Sequence, residues 1–418
     1  MNITILGRTE IADERLNFII SELAPKTVCN IVLKLQYSWC EVSCKSYGLY
    51  MTDQNGIVNL AENAPIEGNY KGIDSMGLFA SCKDMKPVKN IRYERDFTRE
   101  YIICNLTVTC CEEKIEKSFT RYFTNKEVQY KRVTSPVTGH YFYHLDKETT
   151  YSILVLGGSE GVANPMLPIA ACLANKGFNV LSLQYFSPAG DPQPIKELPA
   201  FLRLIPVEYI NAGIDWLCKK SGTANVSIMG FSRGAELALL TSTLNEKVKK
   251  VIAVSPSAYV WQGIYTTSSA WSLERMPIPC LVIFPILAFI ESIKNTIMGI
   301  FKFPQGYYLS YELSRNLIPD RLKEKARIKI EKTEAHILLV AGKKDFVWNS
   351  EASVKIIKDA MEAHHKGDKI FCKIYENAGH YFRPPFIFGE DVIGTQNKTI
   401  FSKINEDFWN SVIGFLSN

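Results

Sequence analysis

The chain has 418 residues, of which 46% are hydrophobic and 22% charged, and carries a net charge of +5 at neutral pH. That composition belongs to a folded globular protein, with length for two or three domains at roughly 150 residues each. The basic bias is weak and lacks a Lys/Arg stripe interleaved with aromatics, which excludes nucleic acid as partner but suits attraction of an anionic small molecule.

In chain order, the first residues read MNITILGRTEIADER. Arg8, Glu10, Asp13 and Glu14 interrupt any apolar core, so no secretory signal is expected there. Up to about residue 125, β-branched and aromatic runs alternate with turn signals. The runs are TVCNIVLKLQY, CEVSCKSYGLYMTDQNGIVNL, EYIICNLTVTC and KIEKSFTRYF, punctuated by Asp53–Gly56, Gly68, Gly72 and Gly77. Short strands between such turns predict an immunoglobulin-like β-sandwich over residues 1–125. Eleven cysteines follow no disulfide framework. Cys40 and Cys44, and the adjacent Cys110 and Cys111, lack partners at zinc spacing. Reduced thiols in a cytoplasmic protein, without metal or cofactor, are the expectation.

From about residue 126 the pattern turns to strand, helix, strand, helix. Apolar runs YSILVLG (151–157), FNVLSLQYF (178–186), VSIMG (226–230), KVIAVS (250–255), HILLVAG (336–342) and KIFCKIYE (369–376) read as strands. Helical patterns lie between them: MLPIAACLANKG, FLRLIPVEYINAGIDWLCKKSG, RGAELALLTSTLNEK and SEASVKIIKDAMEAHH, with FWNSVIGFLS as a last packing helix. The alternation predicts a largely parallel sheet covered on both faces over residues 126–418. Residues 256–330 break it with an aromatic-rich insertion of the size that forms lids or binding elements. Within it, Phe284–Phe301 is apolar but carries Glu291 and Lys294 at its centre. A bilayer span needs about 20 mostly uncharged residues, so this stretch is read as a lid or a buried helix.

Two segments match Gly-x-Ser-x-Gly: GGSEG, Gly157–Gly161, and GFSRG, Gly230–Gly234. A nucleophile on a sharp turn needs a strand ending at the first glycine and a helix starting at the serine. Ser232 meets both conditions, with VSIMG before it and RGAELALL after it. The helix N-terminus then aims its dipole and open N–H groups at a developing oxyanion. After Ser159 the strand is present, but Asn164, Pro165 and Pro168 delay the helix. GGSEG is therefore assigned to the oxyanion loop, with the Ser159 and Glu160 backbone N–H groups as donors and Arg233 N–H as the second contribution.

Four histidines follow Ser232: His336, His364, His365 and His380. His336 opens an apolar strand and is expected in the core, while His364 and His365 end a charged helix. His380 lies in ENAGHYFRPPF, a loop directly after the last strand, where a general base needs to be. Asp345, just past the HILLVAG strand, is placed to orient that imidazole. Asp320 and Glu334 lie off any strand end. Ser232, Asp345 and His380 follow the Ser–acid–His order of the α/β-hydrolase fold.

These elements, in this order, resemble the type I acyl-CoA thioesterase and bile acid-CoA:amino acid N-acyltransferase family over nearly the whole chain. DQNGIVNL (53–60) and NYKGIDSMGLF (69–79) are similar to its N-terminal segments. LANKGFNVLSLQYF, GFSRGAEL, GKKDFVWNSE (342–351) and GHYFRPPF are similar to its catalytic blocks. The resemblance implies an α/β-hydrolase domain behind a β-sandwich, the triad Ser232, Asp345 and His380, an acyl-CoA substrate and an acyl-enzyme on Ser232 that water resolves. Members that conjugate amino acids carry Cys where this chain has Ser232, which favours hydrolysis. The chain departs from the family over 256–330, where acyl-chain selectivity is expected to reside. Three alternatives stand beside acyl-CoA hydrolysis: acyl transfer to glycine, taurine or another amine, a general serine carboxylesterase or peptidase on the same triad, and a non-catalytic binding protein.

Overall fold

The computed structural model describes residues 1–39, 43–84, 96–145, 152–161, 164–188, 194–300, 306–387 and 398–417. Cys40–Val42, Tyr151, Val162, Ala163, Phe301 and Asn418, which belong to segments named above, lie outside the described residues. The backbone divides into two compact units, Met1–Glu127 with Arg383–Trp409, and Val128–Phe382 with Asn410–Asn418.

The first unit is built on two antiparallel sheets. The larger holds Val28–Tyr37, Ser43–Met51, Tyr101–Cys110 and Glu113–Tyr122, and the smaller Asn2–Leu6, Asn17–Ser21 and Val58–Asn59. VCNIVLKLQY and YIICNLTVTC bury alternate residues, because successive side chains of a strand point to opposite faces. Ile31, Leu33, Cys104 and Leu106 thus share one buried layer. Trp39, Phe97 and Phe123 close one end, with ring centroids 4.8 to 5.6 Å apart. The Asp53–Gly56 turn forms as its residues require. Asp53 Oδ1 accepts from the Asn55 and Ile57 amides at 2.8 Å, and Gly56 takes φ +70°. Cys110 and Cys111 are unbridged.

The sequence pattern assigns everything beyond residue 125 to the second domain, whereas residues 383–409 group with the first unit. Long-range polar contacts explain the difference. The Arg15 guanidinium binds Glu406 at 2.7 and 2.5 Å, and Trp409 Nε1 donates to Asp13 Oδ2 at 2.8 Å. Partners nearly 400 residues apart leave no local signal in the sequence.

The second unit carries an eight-stranded sheet. Its strands are β1 (Val128–Val133), β2 (Thr138–His144), β3 (Ser152–Leu156), β4 (Asn179–Gln184), β5 (Val226–Phe231), β6 (Val248–Val254), β7 (His336–Gly342) and β8 (Ile370–Tyr375). Their spatial order is β1-β2-β4-β3-β5-β6-β7-β8. The pairs β1–β2 and β2–β4 are antiparallel and the rest parallel. This is an α/β-hydrolase sheet. Every residue of β3, β4 and β5 is buried, as expected of parallel strands covered on both faces. The edge strand β8 is half exposed. The order reverses around β3, and ligands of open α/β sheets bind beyond the strand C-termini at such a point.

The helices are α1 (Leu167–Asn175), α2 (Val207–Ser221), α3 (Arg233–Ser242), α4 (Pro285–Ile300), α5 (Tyr308–Leu317), α6 (Asp320–Ala326) and α7 (Ser350–Ala363), with Lys398–Ser417 at the end of the chain. Three expectations need correction. The pattern FLRLIPVEYIN does not start a helix at Phe201. Pro206 caps α2 instead, and Ile205–Pro206 pairs with Trp271–Ser272. His336 is exposed at the start of β7 rather than in the core. The apolar stretch from Phe284 is a helix, α4, but most of it is exposed rather than buried. Among the described residues no helix is long and apolar enough to cross a membrane.

Leu339 is fully buried at the centre of β7. Leu339→Ala is expected to lower unfolding free energy by about 2–5 kcal/mol in urea titrations, through lost transfer energy and the cavity left behind.

Candidate active site

Four chain segments meet at the C-terminal ends of β3, β5, β6 and β7. Ser232 follows β5 and caps α3 with φ 53° and ψ −116°, a conformation rare for a residue with a Cβ. It is held from both sides. Ser232 N–H donates to Val254 O at 2.9 Å, and its carbonyl accepts from the Ala235 and Glu236 amides at 2.9 and 3.1 Å. The glycines of GFSRG explain themselves by distance. A Cβ on Gly230 would meet Gly234 O at 2.1 Å, and one on Gly234 would meet Gly157 O at 2.2 Å. Both contacts are with backbone that cannot move aside, so only glycine fits.

Asp345 and His380 are brought together directly. His380 Nδ1 lies 2.9 Å from each Asp345 carboxylate oxygen, and both residues are buried. Asp345 Oδ1 also accepts from the Val347 and Trp348 amides at 2.9 and 3.2 Å, which fixes the carboxylate. With Nδ1 donating to Asp345, the other ring nitrogen is left as the proton acceptor. Phe346, Trp348 and Tyr381 wall the ring, at centroid distances of 6.4, 5.9 and 5.4 Å. Ser232 Oγ makes no side-chain hydrogen bond among the described residues. Its link to the pair runs through the strand ends: Ser232 N–H holds Val254 O, and the next residue, Ser255, donates through Oγ to His380 O at 2.6 Å. Catalytic hydrogen bonds are commonly open before substrate arrives.

GGSEG follows β3, and Gly158 comes against Ser232. A Cβ built on it would lie 3.3 Å from Ser232 Cβ. Tyr185, at the end of β4, donates its hydroxyl to Gly157 O at 2.6 Å and Gly158 O at 2.8 Å and so fixes the loop. The Ser159 side chain is exposed. The sequence reading takes the Glu160 amide as an open oxyanion donor. In the structure the Glu160 carboxylate folds back onto Gly158 N–H at 3.0 Å. The loop therefore binds its own side chain through the Gly158 amide in this conformation. Water reaches the Glu160 side chain, but dense protein around the carboxyl raises its pKa, against the pull of backbone N–H groups and of His380.

Below Ser232 lies a polar network that sequence reasoning missed. Arg233 donates to Glu236 Oε2 at 2.7 Å and to the carbonyls of Trp261 and Gln262 at 3.1 and 2.8 Å. Glu236 Oε1 accepts from Trp271 Nε1 at 2.6 Å and Trp261 N–H at 3.2 Å. Burial pushes the Glu236 carboxyl up to about 7, against Arg233 and the tryptophan donors. The available signal was a glutamate inside the otherwise apolar RGAELALL helix. Ser255 (φ 50°) and Tyr185 had no comparable signal. Of the rejected candidates, His364 bonds only its own helix at Ala360 O, 2.8 Å, and Glu334 pairs with Lys366 and Lys369. Asp320 pairs with Lys323 on α6. Among the described residues no group of three or more His, Cys, Asp or Glu could hold a metal.

Comparison with known proteins was made on this basis. Residues 205–417 match the family described as BAAT / Acyl-CoA thioester hydrolase C terminal, and residues 13–135 its companion, Acyl-CoA thioester hydrolase/BAAT N-terminal region. Acyl-coenzyme A amino acid N-acyltransferase 1 of Mus musculus is 24% identical over 353 residues, covering 82% of this chain and 77% of the relative. The peroxisomal succinyl-coenzyme A thioesterase of Mus musculus is 22% identical over 428 residues, covering 96% and 93%. Acyl-coenzyme A thioesterase 6 of Homo sapiens is 22% identical over 429 residues, with the same coverage. Among solved structures, a hyperthermophilic esterase of Pyrobaculum calidifontis aligns with 70% of this chain and 85% of its own, at 14% identity and a TM-score of 0.41.

Two outcomes follow. Gly234→Ala forces a methyl into Gly157 O and should cost roughly 1–3 kcal/mol or more of stability, with loss of turnover, read by thermal melting and an esterase assay. For Glu236 the folded pKa is raised from 4.5 to about 7, so between these values the folded state binds more protons than the unfolded chain. The contribution of this carboxyl to stability therefore falls as pH rises through that window. Glu236→Gln should remove that slope, seen as a melting temperature that falls less than wild type over the same pH range.

Proposed function

The chain belongs to the BAAT and acyl-CoA thioester hydrolase family, and we propose that it hydrolyses acyl-CoA to free acid and CoA through an acyl-enzyme on Ser232. The observation that carries this reading is the buried His380–Asp345 pair, 2.9 Å apart, at the sheet edge where Ser232 turns. Ser232 Oγ attacks the thioester carbonyl as His380 takes its proton, and Asp345 stabilises the imidazolium. The tetrahedral oxyanion is met by Arg233 N–H, the first amide of α3, which has no intrahelical carbonyl before it. Amides of the 158–160 loop supply the second contribution once the Glu160 carboxylate swings off them. CoA leaves readily as a thiolate, since the parent thiol has a pKa of about 8.5. Water activated by His380 then releases the acid. No step uses a cofactor or metal.

The reading places the chain in lipid metabolism, acting on fatty acyl-CoA in the cytoplasm, the latter on the view of its eleven cysteines as reduced thiols. A second reading, transfer of the acyl group to an amino acid, is favoured by the likeness to the N-acyltransferase of Mus musculus. Serine at 232 weighs for water as acceptor.

Purified protein is expected to release free CoA thiol from a medium- or long-chain acyl-CoA. Ser232→Ala should reduce this by at least ~10³-fold while Ser159→Ala keeps most of it. A dead Ser159→Ala with an active Ser232→Ala would reverse the two assignments. Glycine or taurine in the same reaction, with mass detection of an amide, separates transfer from hydrolysis.

A further inference from the structure

Helices α4 and α5 are built inside out. On α4, Ile286, Phe289, Ile290, Ile293, Ile297 and Ile300 are exposed, Ile286 and Phe289 each to 63%, while Glu291 is 0% exposed. Their spacing puts them on one helical stripe. On α5, Leu309, Leu313 and Leu317 are exposed, while Ser310 and Ser314 are buried.

The polar residues form the seam between the two helices, and they are satisfied there. Glu291 accepts from the Leu309 and Ser310 amides at 3.1 and 2.7 Å. Ser310 Oγ donates to Leu287 O at 3.1 Å, and Ser314 Oγ accepts from Phe284 N–H at 3.0 Å. Asn295 exchanges two bonds with the Gly306 backbone at 2.9 and 3.0 Å. The hairpin therefore hides Glu291, Asn295, Ser310 and Ser314 and turns an apolar stripe outward, the reverse of a helix pair facing water.

Its surroundings carry a positive excess. Lys294 is half exposed beside the stripe. Past α5 the apolar run continues through the exposed Leu322, set between exposed Arg321 and Lys325. From Glu312 to Lys332 the chain has seven basic residues and four acidic ones; Arg315, Lys323, Arg327 and Lys329 pair with those acids, so the surplus rests on Arg321, Lys325 and Lys332. Exposed Tyr307 and Tyr308 stand at the start of α5, the amphipathic residue type that favours a membrane–water interface. The hairpin is also rooted at the active site. Tyr308 N–H donates to Phe346 O, next to Asp345, at 3.1 Å, and Tyr311 packs edge-on to Trp261 and Trp348.

We propose that the outer face of the α4–α5 hairpin docks in the plane of an anionic lipid bilayer, with its isoleucine and leucine side chains among the acyl chains and the neighbouring lysines and arginines at the phosphates. Charge decides between this occupant and a second copy of the chain. Two copies meeting on this face would oppose like-charged rims, whereas anionic headgroups attract them. Because Glu291, Asn295, Ser310 and Ser314 are satisfied within the seam, insertion of the outer face leaves none of these four bare in hydrocarbon. Docking goes beyond the thioesterase reading and stands whether or not Ser232 turns over acyl-CoA.

The test is flotation of the full chain with vesicles of phosphatidylcholine alone and of phosphatidylcholine with phosphatidylglycerol. Wild type is expected to float with the anionic vesicles, less so in high salt. Ile286→Glu with Phe289→Glu and Ile297→Glu should weaken partition roughly tenfold or more, with melting temperature unchanged because these positions are exposed. Phe289→Trp keeps the face apolar, and brominated phosphatidylcholine in the same anionic vesicles should quench it beyond the wild-type level. The Ser232→Ala variant, floated in parallel, should bind as wild type, which separates docking from catalysis. Absence of wild-type flotation, flotation indifferent to the glutamates, no added quenching of the tryptophan, or a dimer in sedimentation that the glutamates dissociate would each overturn the proposal.

Discussion

The turn at Ser232 is the constraint on which the rest of the site depends. A residue with a Cβ held at φ 53° and ψ −116° costs of the order of 1–3 kcal/mol, and persists only where its surroundings leave it no alternative. Those surroundings are the parallel neighbours of β5. Strand β6 supplies the carbonyl of Val254 to the Ser232 amide, and the end of β3 lies so close to Gly234 that no side chain fits. The turn in turn exposes the hydroxyl beyond the sheet edge and starts α3 beneath it. The same close approach puts Gly158 against Ser232, so the serine turn and the 157–161 loop are set by one packing arrangement.

Two buried acids near this turn do different work because their partners differ. Asp345 is fixed by two backbone amides and faces His380, an arrangement that orients the imidazole ring. Glu236 is enclosed by Trp261, Trp271 and Arg233, and its carboxyl rises to about 7 because burial outweighs those partners. Arg233 and Glu236 tie the first turn of α3 to the 261–271 segment, which stiffens the support of the serine without touching a substrate. Glu160 is a third case. Its carboxylate sits on the Gly158 amide, next to Ser232.

Much of this was legible in the sequence, for physical reasons. Apolar runs such as YSILVLG and VSIMG report parallel strands buried on both faces, and the prolines after Ser159 separate a loop from the helix that follows Ser232. His380 and Asp345 follow strands, where a sheet-edge site draws its side chains. What the sequence hid is long-range or conformational. The return of residues 383–409 to the first unit depends on Arg15 with Glu406 and Asp13 with Trp409. The direction of the Glu160 side chain and the grip of Ser255 on the His380 carbonyl are choices of rotamer and backbone that no periodicity encodes. The outward stripe of α4 misleads a reading that equates apolar with buried, since its buried face is chosen by Glu291 and Asn295 finding partners on the other arm of the hairpin.

Covalent labelling bears most directly on which serine reacts. The protein would be treated with a serine-directed fluorophosphonate and digested, and the modified peptide located by mass spectrometry. The assignment predicts a single adduct on Ser232, formed rapidly in wild type and slowly in His380→Ala. An adduct on Ser159, or labelling of Ser232 at the same rate with and without His380, would contradict it.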